Sequence, residues 1–222
     1  MSFRALLLDF DGTLAATQPA VIASAQRVLD VLRRPPAADD AVRRVLALGL
    51  PLEKTFAAID PALTPPQLAD AAARYREIYA EIGMAHTALF PGVYETLQAL
   101  HRRGAFLAVL SNKGRAAIER QMQTTGLTDF VDLIFAAEPD MPNKPDKAAF
   151  ETRVAPAFPG VGRDAFLMVG DTAVDIQFAK NTGLASCWTA YGYGDPAGCR
   201  ALLPDFAIAR FDELLALPGV GP

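Results

Sequence analysis

The chain has 222 residues, 51% of them hydrophobic, with a formal net charge of −4. That length admits one large domain or two small ones around a substantial core, and mild acidity is the opposite of the basic stripe that nucleic-acid binding calls for. No apolar run approaches the roughly 20 residues that cross a bilayer.

Met1–Arg4 runs straight into strand-like residues, without the charged head, apolar stretch and small-residue cleavage site of a signal peptide. The expectation is a soluble cytoplasmic protein, monomer or homodimer, with no membrane or nucleic-acid partner. Cys187 and Cys199 make neither a Cys-x-x-Cys pair nor a disulfide framework, and read as two unrelated reduced thiols.

In chain order, Ala5–Phe10 is a short apolar run ending in Asp11-Gly12-Thr13, a buried strand that delivers its last residues into a loop. Residues 14 to 86 carry helical spacing only: Val21–Leu32, stopped by Pro35-Pro36; Ala41–Leu48, capped by Asp39 or Asp40; Pro51–Ile59; and Gln67–Ile82, opened by a Thr64-Pro65-Pro66-Gln67 capping box. Beyond residue 86, strand-like runs at Phe106–Leu110, Leu133–Ala136, Phe166–Val169 and Ala185–Thr189 follow. The helices Pro91–Arg103, Arg115–Thr125 and Val174–Thr182 fall between strands, each followed by a glycine suited to a left-handed stop. A short strand Phe206–Ile208 and a helix near Asp212–Leu217 complete the pattern, and Pro218–Pro222 is expected to fray. Alternating strands and helices predict an α/β fold with a parallel sheet, and the all-helical block after the first strand is placed to cover that strand's tip.

Four segments carry chemistry. Asp9 and Asp11, two apart in extended chain, point the same way and converge; their mutual repulsion calls for a proton or a hard cation such as magnesium, and Gly12 allows a sharp turn or a close approach. Ser111-Asn112-Lys113-Gly114 follows a strand and offers a hydroxyl and amides to a phosphate. Asn143-Lys144-Pro145-Asp146 supplies an ammonium. Gly170-Asp171-Thr172-Ala173-Val174-Asp175 sets Asp171 at a strand tip and Asp175 in the first helical turn. Alone, each has an ordinary reading: an Asx turn, a helix N-cap, a solvated lysine, an acidic first turn. Together, all four lie at or just beyond the carboxyl ends of strands, where open parallel sheets bind ligands.

In this order and spacing the segments resemble the haloacid dehalogenase-like hydrolase superfamily: Asp9–Leu14 its first motif, Ser111 the second, Lys144 the third and Gly170–Asp175 the fourth. Gly49–Glu53, Phe90–Val93 and Tyr191–Gly194 resemble its phosphoglycolate phosphatase group. Leu14-Ala15-Ala16-Thr17 departs from the usual Leu-Val-Asp-Ser. The resemblance implies a Rossmann-like catalytic core, residues 1–13 and 87–222, and a helical cap, residues 14–86. It implies that Asp9 is the nucleophile and Asp11 the acid and then the base. It assigns Mg2+ to the Asp9 carboxylate, the Asp11 carbonyl and Asp171, with Asp175 acting from behind them. Ser111 and Lys144 would hold the phosphoryl group, helped by Gly12, Thr13 and Asn112. Asp11 favours phosphate over halide as leaving chemistry, since halide departs without a proton. The implied substrate is a small phosphate monoester like phosphoglycolate. A phosphosugar mutase resembling β-phosphoglucomutase is the alternative on the same core. A receiver-like phospho-accepting module, or a silent relative acting by interaction, is the alternative from another class. Lys54, Arg74, Tyr75 and Tyr191 are the expected specificity candidates, and His86 and His101 fit no metal pattern.

Overall fold

The computed structural model describes residues 2–83 and 86–220. Its frame is a six-stranded parallel sheet in the order β5-β4-β1-β6-β7-β8. The strands are β1 (Ala5–Leu8), β4 (Phe106–Gly114), β5 (Leu133–Ala137), β6 (Phe166–Gly170), β7 (Ala185–Thr189) and β8 (Phe206–Ile208). β1 is central because all four of its residues are apolar and buried, as burial on both faces of a parallel sheet demands. Leu6 and Leu8 face α5 (Val93–Arg102) and α6 (Arg115–Thr125), packing in one cluster with Val93, Leu97, Leu100, Ile118 and Met122. Ala5 and Leu7 face the other side, with Phe150, Phe166 and Phe178. Phe178 lies on α7 (Ala173–Thr182). A short helix, α8 (Pro196–Ala201), follows β7, and a 3-10 helix at Phe211–Ala216 stands where a helix near Asp212–Leu217 is expected.

The chain leaves β1, returns as β4 on one side and continues outward to β5, then crosses to β6 on the other side of β1. The strand order therefore reverses around β1, and the tips of β4, β1 and β6 stand side by side. Such a reversal opens a crevice at the carboxyl ends.

Four helices form the cap: α1 (Gln18–Val31), α2 (Asp39–Leu46), α3 (Leu52–Ile59) and α4 (Pro65–Ile82). Val28, Phe56, Leu63 and Ala71 make one cap core, and Ile22, Ala25 and Val42 another. The Thr64/Gln67 capping box forms, with the Thr64 amide donating to Gln67 Oε1 at 2.9 Å. Ala38, not an aspartate, precedes α2. Asp39 and Asp40 occupy its first turn, where the helix dipole favours their charge.

Two other expectations need correction. Residues 14–86 are not free of strand: β2 (Ala15–Ala16) pairs antiparallel with β3 (Ala88–Leu89), so the two crossings between core and cap are hydrogen-bonded to each other. This pairing uses backbone groups, which is why alanine serves at position 16. The chain end does not fray through residue 220. The Phe3 amide donates to the Gly219 carbonyl at 2.6 Å, and Val220 is buried against the core; Gly221 and Pro222 lie outside the described residues.

Candidate active site

At the tip of β1 the Asp9 amide donates to the Val169 carbonyl at 2.9 Å, extending the ladder by one residue and holding the Asp9 side chain at the crevice floor. Phe10, between the two aspartates, is fully buried. Asp9 and Asp11 line one cavity, as their spacing requires. Asp11 Oδ1 accepts from Thr17 Oγ1 at 2.6 Å and from Lys113 Nζ at 2.7 Å.

Beside it, at the tip of β6, Asp171 is wholly buried. Its Oδ2 accepts the Tyr193 amide at 2.7 Å, its Oδ1 the Thr13 hydroxyl at 3.3 Å, and its carbonyl the Trp188 indole N–H at 3.0 Å. Gly12, at φ +81°, passes so close that an added Cβ would stand 2.1 Å from Asp171 Oδ2. Gly12→Ala is therefore expected to cost about 1–3 kcal/mol of stability and to displace Asp171, lowering kcat about 100-fold or more. Thermal melting and steady-state kinetics check this, and an unchanged kcat would show that the position of Asp171 is immaterial.

Asp175 closes the α7 capping box, its Oδ2 accepting the Thr172 amide at 2.9 Å and hydroxyl at 2.8 Å. Lys144 joins the two carboxylate positions. Its Nζ donates to Asp9 Oδ1 at 2.9 Å and Asp175 Oδ1 at 2.6 Å, with the residue only 4% exposed. Burial pushes the Asp9 carboxyl up to about 6, against the pull of Lys144. Burial also raises Asp171 well above the ordinary carboxylate range, and Asp9 and Asp175 add to the effect. Burial alone would lower the Lys144 ammonium, but Asp175 and Asp9 outweigh it and leave it raised.

Asp9, Asp171 and Asp175 each offer a carboxylate oxygen within 4.8 Å of the others. Three buried carboxylates thus share one ammonium, an excess of negative charge that a divalent cation would offset. The donors are all hard oxygens, so the group is able to hold such an ion.

The second motif is not the helix N-cap of its ordinary reading. β4 continues in extended form to Gly114, which itself precedes α6. Ser111, Asn112 and Lys113 on this extension all line the cavity. Asn112 donates to the Gly49 carbonyl at 3.2 Å and the Lys144 carbonyl at 3.0 Å, tying cap, β4 and the Lys144 loop together. Gly12 and Thr13 stand against Asp171 and support it from behind. Lys113 escaped the sequence reading, although the two-residue spacing that paired Asp9 with Asp11 also pairs Ser111 with Lys113. The sequence marks the Tyr191–Gly194 loop by resemblance and Tyr191 as a specificity candidate, with no signal that the loop packs on Asp171. The loop packs round Asp171 so closely that a Cβ on Gly192 would meet Asp171 Cβ at 2.2 Å.

A cavity of about 880 Å³ rises from these carboxylates between core and cap. Of the specificity candidates, Tyr75 lines it. Lys54 is exposed, Arg74 pairs with Asp70 on the surface of α4, and the Tyr191 hydroxyl donates to the Thr13 carbonyl.

The model of the haloacid dehalogenase-like hydrolase family matches residues 6–189. The chain belongs to that family. Among its relatives, this haloacid dehalogenase-like hydrolase is 33% identical over 218 residues to a plasmid-encoded phosphoglycolate phosphatase of Cupriavidus necator, covering 97% of this chain and 92% of the relative. It is 28% identical to the pyrophosphatase PpaX of Halalkalibacterium halodurans, covering 99% of each. A solved structure described as a predicted phosphoglycolate phosphatase, from Haemophilus somnus, superposes with a TM-score of 0.86 at 26% identity, over 97% of this chain and 98% of the other. The chain falls in the phosphoglycolate phosphatase-like group, the phosphatase branch of the family. Among the described residues, no helix is long and apolar enough to cross a membrane.

Proposed function

We propose that the protein is a magnesium-dependent phosphatase of small phosphate monoesters, phosphoglycolate or a close analogue among them, working through an aspartyl-phosphate on Asp9. The observation that carries this reading is the Asp9 carboxylate at the cavity floor, held by Lys144 at 2.9 Å, with Asp11 lining the same cavity. The likeness to phosphoglycolate phosphatases and to a pyrophosphatase supports the phosphoester class. On this reading residues 1–13 and 87–222 are the catalytic core and 14–86 the cap.

A carboxylate is a weak nucleophile toward an anionic ester, so positioning and charge neutralisation supply most of the rate. Asp9 forms the bond to phosphorus while the ester oxygen departs with a proton from Asp11. Asp11, then ionised, takes a proton from water, whose oxygen attacks the phosphorus and frees phosphate from Asp9. Ser111 and Lys144 bind the phosphoryl oxygens, and Lys144 also steadies Asp9. Asp9, the Asp11 carbonyl and Asp171 would hold the magnesium ion, with Asp175 buttressing them. The ion would neutralise phosphate charge against the carboxylates.

A phosphate-release assay on phosphoglycolate, pyrophosphate and hexose phosphates tests the reading. Chelation with EDTA is expected to reduce release to background and magnesium to restore it; turnover indifferent to chelation overturns metal dependence. Transfer to a second position of a hexose phosphate, with no free phosphate, would instead identify a mutase.

Metal binding also has a stability readout. Asp9 is raised from 3.8 to about 6, and Asp171 is raised as well. A carboxyl raised in the folded state stabilises the fold while protonated, and that contribution is lost as pH climbs from the ordinary carboxylate range through the raised pKa. Through these groups the metal-free protein is less stable at about pH 7 than at about pH 5. Magnesium binds the ionised carboxylates, so it is expected to raise Tm more at the higher pH. Equal shifts at both pH values, measured by calorimetry, would contradict this.

A further inference from the structure

We propose that Lys113 is a specificity-determining residue whose ammonium pairs with an anionic group next to the ester oxygen of the substrate, a carboxylate or a second phosphate on the leaving group. The inference rests on the phosphatase reading above and deepens it.

Lys113 stands where the leaving group must pass. Its Nζ is 2.7 Å from Asp11 Oδ1, the proposed proton donor, and 2.8 Å from the Tyr79 hydroxyl on cap helix α4. The aromatic rings of Tyr79 and Phe10 cover it at 4.5 and 5.5 Å to their centroids, and its side chain is only 10% exposed. An ammonium has three N–H donors. Two are engaged by Asp11 and Tyr79, which leaves one for the cavity that Lys113 lines.

The distances suit an anion on the leaving group. An ester oxygen within about 2.8 Å of Asp11 Oδ1 lies no more than about 5.5 Å from Lys113 Nζ, given the 2.7 Å between that nitrogen and Oδ1. In phosphoglycolate the carboxylate oxygens lie about 3 Å from the ester oxygen by ordinary bond lengths. A carboxylate turned toward the cap thus comes within charge-assisted hydrogen-bond reach of Lys113. The bridging oxygen of pyrophosphate puts its departing phosphate in the same place.

The other cations in the cavity wall have commitments elsewhere. Lys144 holds Asp9 and Asp175. Arg115 pairs with Glu138 at 2.8 Å, Arg76 with Glu53 at 3.0 Å, and Arg120 donates to the Ala80 carbonyl at 2.8 Å. Lys113 is the one among them that touches Asp11.

The test measures kcat/KM of the magnesium-loaded enzyme on phosphoglycolate, pyrophosphate and ethyl phosphate, the last matching phosphoglycolate in length without its carboxylate. Wild type is compared with Lys113→Met and Lys113→Arg, with melting curves confirming that both variants fold. Any effect through Asp11 falls alike on phosphoglycolate and ethyl phosphate, whose alkoxides need its proton, and less on pyrophosphate, whose departing phosphate is a much weaker base. Recognition of the anion appears as an extra loss of about 10–100-fold in Lys113→Met on phosphoglycolate or pyrophosphate relative to ethyl phosphate, with partial recovery in Lys113→Arg. An extra loss on phosphoglycolate alone identifies a carboxylate, and on pyrophosphate alone a phosphate. No extra loss on phosphoglycolate or pyrophosphate over that on ethyl phosphate, or a wild-type preference for ethyl phosphate, overturns the inference and leaves the phosphatase reading standing. Phosphate release from none of the three by wild type overturns both.

Discussion

Replacing Asp9 by asparagine is expected to lower kcat by about 10⁴-fold or more, the scale on which removal of a covalent nucleophile registers. The amide keeps an oxygen that accepts the Lys144 bond, now 2.9 Å from Asp9 Oδ1, so the loop geometry survives. It also removes one of the buried negative charges that repel Asp171 and Asp175. The metal-free variant should therefore melt at or above the wild-type temperature while being inactive, a trade of stability for function of the kind active sites show. Rapid acid quench after mixing with labelled substrate should trap phosphate on wild type and none on Asp9→Asn. A variant that turned over at the wild-type rate would remove Asp9 from the chemistry altogether.

Lys144→Met is the second large effect, and it couples activity to stability. The ammonium is buried between Asp9 and Asp175, and both contacts are short. Without it the carboxylates face one another uncompensated in a low-dielectric pocket. Breaking a buried pair by removing one partner costs about 3–5 kcal/mol. Loss of a positioned cation from the phosphoryl site adds about 10²–10³-fold in kcat. Two measurements separate these effects. Melting of the metal-free variant should show the destabilisation, smaller at low pH where the carboxylates hold protons. Single-turnover kinetics at saturating magnesium should show the loss of rate in protein that is folded. A variant as stable as wild type would mean that Lys144 is not compensating the carboxylates.

Much of the fold was legible because its signals are local. The apolar runs of β1, of β6 and of β4 through Leu110 admit little but a sheet covered on both faces, and glycines at 104, 126 and 183 terminate helices in the left-handed conformation for which they are suited. What stayed illegible depends on partners distant in sequence. Ala15–Ala16 has no strand signal of its own, because its pairing with Ala88–Leu89 is made by backbone groups. Val220 is held by Phe3 at the opposite end of the chain. The extension of β4 through Gly114 follows from its pairing with β5, whose register shifts between Leu110 and Gly114.

The same division runs through the site. Residue order alone established which groups are available: two carboxylates two apart after a strand, a hydroxyl after the next, a lysine, and a second acidic pair. Those are covalent facts, and strand periodicity carries them to the sheet's carboxyl edge. Tertiary structure decided which of these groups touch. It set Lys144 between Asp9 and Asp175, wrapped Tyr193 and Gly12 around Asp171, and brought Lys113 of the core onto Asp11 and Tyr79 of the cap onto Lys113. Such contacts span 135 residues of chain in the case of Lys144 and Asp9, and 158 in that of Thr13 and Asp171. They exist because burial in a shared core holds β4, β1 and β6 side by side, and no pattern within a single segment encodes that adjacency.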